Sequence, residues 1–266
     1  MQACKRLTAV LVILFFGTTL WARPNVVATI YPLYLLLKDV GDGRIESSYV
    51  LGPYTSPHGY ELTPRAFLKL KKADAVVAVG CGLDDWLGKA AAGKRVFRLC
   101  QGVELVEGNP HIWLSPSIVA RKVWGLARFL SGLDPEDAQL FRKRAEFVAS
   151  RLSTLTERSG KRCAVISHHN AWLYLIKDLG YDYIGAIEEV PHQEPTPGHI
   201  QRLIRRASGR ACVLVIAEKG HNLKVAELVA KKLKARLVVL NPLGDYGDRG
   251  FVEFMKRLIS AIRDAE

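Results

Sequence analysis

Residues 163–171 read Cys163-Ala164-Val165-Ile166-Ser167-His168-His169-Asn170-Ala171, a short apolar run that stops at a polar segment carrying two imidazoles. A β-branched run of this length reads as a strand. Working outward, similar runs occur at 25–30, 45–51, 75–79 and 95–99 before it, and at 182–187, 212–217 and 236–240 after it. Helical patterns alternate with them, which argues for parallel βα units and against an all-β fold. Between the two sets of strands lie helical patterns from Ser115 to Ser131 and from Pro135 to Arg158; the second is long, charged and free of internal Gly or Pro. The expected architecture is α/β: two lobes, each a four-stranded parallel sheet flanked by helices, joined by one long rigid helix. Its parts are an N-terminal lobe over 23–133, a connecting helix over 134–160 and a C-terminal lobe over 161–266.

Four helix starts are marked by a capping side chain directly before a proline: Thr63-Pro64, Ser115-Pro116, Asp134-Pro135 and Thr196-Pro197. A short polar side chain satisfies orphan backbone N–H groups, and proline has none to satisfy at the first helical position.

Residues 1–22 read differently. Lys5 and Arg6 precede an uncharged stretch, Leu7 to Ala22, with its apolar heart at Ala9 to Phe16. This is the pattern of a cleaved secretory signal, with cleavage expected after Ala22. A retained anchor would need about 20 apolar residues. No Cys follows the stretch, so the lipid-modified cysteine of an exported lipoprotein is absent, and a freely soluble product implies a bacterial periplasm. Export leaves Cys81, Cys100, Cys163 and Cys212, an even number in an oxidising compartment. Pairing Cys81 with Cys100 and Cys163 with Cys212 keeps each bridge inside one lobe; four buried free thiols are the alternative.

With 266 residues, 49% of them apolar, the chain can bury a full core. Its net charge of +12 is scattered, with no basic run carrying interleaved aromatics, so nucleic acid is not expected as a partner. Ligands of parallel sheets bind beyond the carboxyl ends of the strands. Histidines occupy those loops: His58 after the second strand, His111 after the fourth, His168 and His169 after the fifth. Three imidazoles and an oxygen complete a tetrahedral shell for Zn²⁺. Prolines flanking His58 and His111 stiffen their loops and lower the entropy lost on ordering a ligand. Trp113 stands either as a wall of that site or as core.

The segments Ser56-Pro57-His58-Gly59-Tyr60-Glu61, Asn109-Pro110-His111-Ile112-Trp113-Leu114-Ser115-Pro116 and Ser167-His168-His169-Asn170-Ala171-Trp172 together resemble the solute-binding proteins of zinc and manganese ABC importers. The resemblance runs over essentially the whole exported chain. It implies a metal held between two lobes, modest hinge motion about a rigid helix, and docking of a monomer onto a membrane permease powered by an ATPase. It further implies His58, His111 and His169 as ligands, with His168 a neighbour. Manganese-type members tend to carry Glu at the third position, so His169 points to Zn²⁺ ahead of Mn²⁺ or Fe²⁺.

Two departures stand out. Where the family usually has Asp before a Pro-Leu-Gly turn, this chain has Asn241, so the fourth donor is expected to be water, then Asn241, with Asp245 or Asp248 as further candidates. The segment 101–108 lacks the long histidine-rich insertion of many zinc-specific members. Glu218 reads equally as a partner of a histidine N–H or as a helix cap. His192, Glu194 and His199 read as solvated loop polarity or a rim, and His221 as surface. A zinc hydrolase would need a general base near the metal; no His-Glu-x-x-His helix occurs, and only Glu61 and Glu218 are placed for that work. An organic-solute binder would need an aromatic and Arg-lined cleft, which these loops lack. The chain therefore reads as a binding protein and not an enzyme.

Overall fold

The computed structural model describes residues 22–157, 162–189 and 193–266. Cys4, Lys5, Arg6, the apolar run as far as Trp21, the helix end expected at Arg158, and His192 lie outside them. The strands are β1 (Asn25–Ile30), β2 (Glu46–Leu51), β3 (Ala75–Ala78), β4 (Arg95–Arg98), β5 (Ala164–Ser167), β6 (Asp182–Ala186), β7 (Val213–Glu218) and β8 (Arg236–Leu240). They form two four-stranded sheets of the same topology, β2-β1-β3-β4 and β6-β5-β7-β8. Every pairing is parallel. The α-helices are α1 (Tyr31–Gly41), α2 (Pro64–Lys72), α3 (Pro116–Ser131), α4 (Ala138–Leu155), α5 (Leu173–Asp178), α6 (Pro197–Ala207), α7 (Lys224–Leu233) and α8 (Phe251–Arg263). Among the described residues no helix is long and apolar enough to cross a membrane.

Successive side chains of a strand face opposite ways, and that alternation divides the core. Val26, Ala28 and Ile30 of β1 enter one large core, while Val27 packs with Val76, Ala78 and the α2 residue Leu70 in a small one. In the second sheet Val165, Leu214 and Ile216 turn into the same large core. Ala164, Ile166, Val215 and Ala217 face outward against Leu203 of α6 and Val229 of α7. Leu36 of α1, Val123 of α3, Phe141 and Val148 of α4, and Phe254 of α8 fill the shared core together with Trp113 and Trp172. The inner faces of the two sheets are thus bound into one apolar cluster.

All four expected capping bonds form: Thr63 Oγ1 accepts from Ala66 N–H, Ser115 Oγ from Ile118 N–H, Thr196 Oγ1 from His199 N–H and Asp134 Oδ1 from Asp137 N–H, at 3.2, 3.1, 3.3 and 3.4 Å. The Asp134-Pro135 start is corrected. The Asp134 N–H still bonds Leu130 O in the closing turn of α3, and Ala138 N–H reaches back to Pro135 O, so α4 begins one turn later, after Asp137. At the front of α3, the Asp178 carboxylate accepts from Ser115 Oγ, Ser117 N–H and Ser117 Oγ at 2.7–2.9 Å, tying this helix to α5. Disulfides join Cys81 to Cys100 and Cys163 to Cys212, with Cα atoms 6.2 and 4.6 Å apart. Both expected pairs are made, each between neighbouring segments of one sheet.

Candidate metal centre

In each sheet the chain leaves the first strand on one side and returns on the other, and a crevice opens beyond the carboxyl ends at that switch. Loops from both sheets meet there. His58 arrives on the proline-rich turn after β2, His111 on the loop after β4, and His169 immediately after β5. Their Nε2 atoms converge: His58 Nε2 lies 2.9 Å and His169 Nε2 3.2 Å from His111 Nε2. The ligand atoms of all three lie within 4.8 Å of one another.

Two of the rings are held from behind. Asn109 Oδ1 accepts from the backbone N–H of His111 and lies 2.7 Å from its Nδ1, while its own amide Nδ2 donates to Asn170 O. The amide orientation is therefore fixed, Nδ1 must carry the proton, and the Nε2 lone pair faces the centre. Glu218, only 1% exposed, receives His169 Nδ1 at 2.5 Å and Trp172 Nε1 at 3.1 Å. Of the two roles open to Glu218, the fold gives it the first: it orients a histidine.

Burial, and then the proximity of the His169 and His58 rings, holds the His111 pKa well below the ordinary histidine value. A neutral imidazole at working pH is the form a metal requires. Burial pushes Glu218 up, but the hydrogen bond and charge of His169 outweigh it, helped by His168 and Trp172, and leave the carboxyl below its usual range. A carboxylate so placed makes the facing imidazole a stronger donor.

Trp113 proves to be both wall and core: it lines the cleft, its ring centre is 5.1 Å from that of His111, and its indole N–H donates to Pro242 O. Asn241 also lines the cleft. Its amide Nδ2 donates across to Pro53 O and locally to Gly244 O, while Oδ1 accepts from Leu243 N–H. Asp245 pairs with Lys219 and Arg257 and accepts from Tyr54 Oη; Asp248 holds Arg257 at 2.7 Å. Glu61 is exposed to solvent.

Several sequence expectations need correction. His199 is buried, not solvated, with Nε2 2.8 Å from Ala186 O and Nδ1 3.3 Å from Glu189. Its place four residues before Leu203 and eight before Ala207 marks the buried face of α6, a signal present in the sequence. His221 is half-buried with its ring 4.7 Å from that of His168. Asn109 was missed as an orienting group, although its place two residues before His111 was in view. Glu188, which lines the cleft, carried no sequence signal.

Residues 26–265 match the sequence profile of the family described as zinc-uptake complex component A, periplasmic. The chain is 24% identical over 277 residues to the high-affinity zinc uptake system protein ZnuA of Bacillus subtilis, covering 91% of this chain and 87% of that protein. A putative metal-binding protein of Thermotoga maritima is 27% identical, covering 97% of each. A crystal structure of ZnuA superposes with a TM-score of 0.79 at 25% identity, over 92% of this chain and 99% of that one. Architecture, histidine cluster and profile agree: the chain belongs to the family of periplasmic component A of zinc-uptake complexes.

Proposed function

We propose that this protein captures Zn²⁺ in the periplasm on His58, His111 and His169 and delivers it to a membrane permease driven by an ATPase. The observation that carries the reading is the convergence of three Nε2 atoms from separate loops, two of them aimed by Asn109 and Glu218. A donor set of three imidazoles suits Zn²⁺ and disfavours Mn²⁺, which prefers oxygen ligands. The neighbouring carboxylates Asp245 and Asp248 are engaged in ion pairs. Water is the fourth donor we favour over Asn241, because both ends of that amide hold the turn after β8 together.

Binding and release, not catalysis, is the chemistry proposed. The carboxylate touching the cluster, Glu218, is tied to a ligand and to Trp172, which leaves it poorly placed to activate a substrate water. We further propose that the protein works as a monomer after cleavage following Ala22, with α4, the Ala138–Leu155 part of the connecting segment, limiting lobe movement.

Calorimetric titration of metal-stripped protein with Zn²⁺, Mn²⁺ and Fe²⁺ tests this reading. Zn²⁺ should bind tightly at the cluster and ahead of the other two, and His111→Ala should abolish that tight event. Wild-type Zn²⁺ affinity in the variant, or preference for Mn²⁺, would overturn it.

A further inference from the structure

His169 follows β5 with extended backbone, φ −126° and ψ 177°. Consecutive residues in that conformation project to opposite sides, so His168 points away from the three-histidine cluster. It meets a separate set of donors. His168 Nε2 lies 3.2 Å from Glu188 Oε1, its ring centre is 4.7 Å from that of His221 with the planes inclined at 60°, and the ligand atoms of His168, Glu188 and His221 lie within 4.8 Å of one another.

From these residues we infer a second divalent-metal site, independent of the first, formed by His168, Glu188 and His221 and taking Zn²⁺ at lower affinity. His168 is 5% exposed; its Nε2 faces Glu188 Oε1 at 3.2 Å in an ion-pair contact, yet neither ring nitrogen makes a well-aligned hydrogen bond within the protein. A nitrogen and a carboxylate oxygen at that separation, close but not hydrogen-bonded, are spaced as two ligands of one tetrahedral zinc would be. Each residue stands on a carboxyl-end loop of the second sheet, after β5, β6 and β7. Glu188 and His221 line the same cleft as the cluster, so the second position opens on the path to the first. Two imidazoles and one carboxylate, with room for water, are a zinc donor set in their own right.

The affinity order follows from pre-organisation. Asn109 and Glu218 already hold two ligands of the first site, and His111 and His169 are buried, whereas Glu188 and His221 are half-buried on loops where water competes for the ion. A gap of at least about tenfold is expected, the scale on which orienting partners act.

The test is a Zn²⁺ titration of the full metal-stripped chain, repeated with Co²⁺ to read the visible spectrum of each site. Wild type should take two equivalents. His221→Ala and Glu188→Gln should each lose the weaker one and keep the tight one within about threefold, and His58→Ala should lose the tight one and keep the weaker. Circular dichroism would confirm that the variants fold. A single equivalent in wild type, or a weaker event that survives both His221→Ala and Glu188→Gln, would overturn the second site. Because the tight event is scored separately by His58→Ala, failure of one site is distinguishable from failure of the other.

Discussion

Loss of Glu218 is expected to weaken Zn²⁺ binding even though that residue is no ligand. Replacing it with Gln keeps the volume but removes the anion that orients His169 and raises its basicity. A loss of about 10–100-fold in affinity follows, with the metal-free protein still folded, and competition with a chromogenic chelator would measure it. His111 carries a pH dependence whose sign can be worked out. In the fold its pKa is held well below 6.5, whereas the unfolded chain protonates it near that value. Below about pH 6.5 the unfolded state therefore binds the additional proton, so the metal-stripped protein loses stability on acidification and gains nothing from this residue above that pH. Thermal melts at about pH 7.5 and 5.5 should show the drop, and His111→Asn should shrink it. The three histidines of the cluster were legible because motif and strand-end position coincide. His221 was not: whether a loop residue folds over a neighbour or faces water depends on contacts between loops that no local pattern encodes.

At the scale of single elements, helix starts were readable where a cap and a proline act alone, as at Thr63, Ser115 and Thr196. Asp134 does accept from Asp137 N–H, but the turn it caps is not continued as regular helix, which begins only at Ala138, a break that the dipeptide does not reveal. All eight strands were placed to within a residue at either end, since parallel strands flanked by helices on both faces are apolar runs with abrupt ends. The Asp178 clamp on the front of α3 was invisible, because it joins residues 61 to 63 apart. Asp178→Ala leaves three donors without their anionic acceptor and should cost about 1–3 kcal/mol, read from urea unfolding.

Taken whole, the molecule is two sheets that share one core through α1, α3, α4 and α8. Pulling the sheets apart would expose Phe141, Phe254 and their neighbours to water, at roughly 1.5–3 kcal/mol for each large side chain. Small changes in overall dimensions between metal-free and zinc-loaded protein are therefore expected by small-angle scattering. A change on the scale of wide domain opening would contradict the shared core. The Cys163–Cys212 bridge spans 49 residues, and its removal as a Cys163→Ser, Cys212→Ser pair should cost about 2–5 kcal/mol in thermal or denaturant unfolding. The cleft itself depends on both sheets, with Asn241 reaching Pro53 and Trp113 reaching Pro242 across it. Anomalous diffraction at the zinc edge from zinc-loaded crystals bears most directly on the centre they enclose. The predicted result is a peak about 2.0–2.1 Å from the Nε2 atoms of His58, His111 and His169 together; a zinc-loaded crystal with no peak within bonding distance of those three atoms would contradict it.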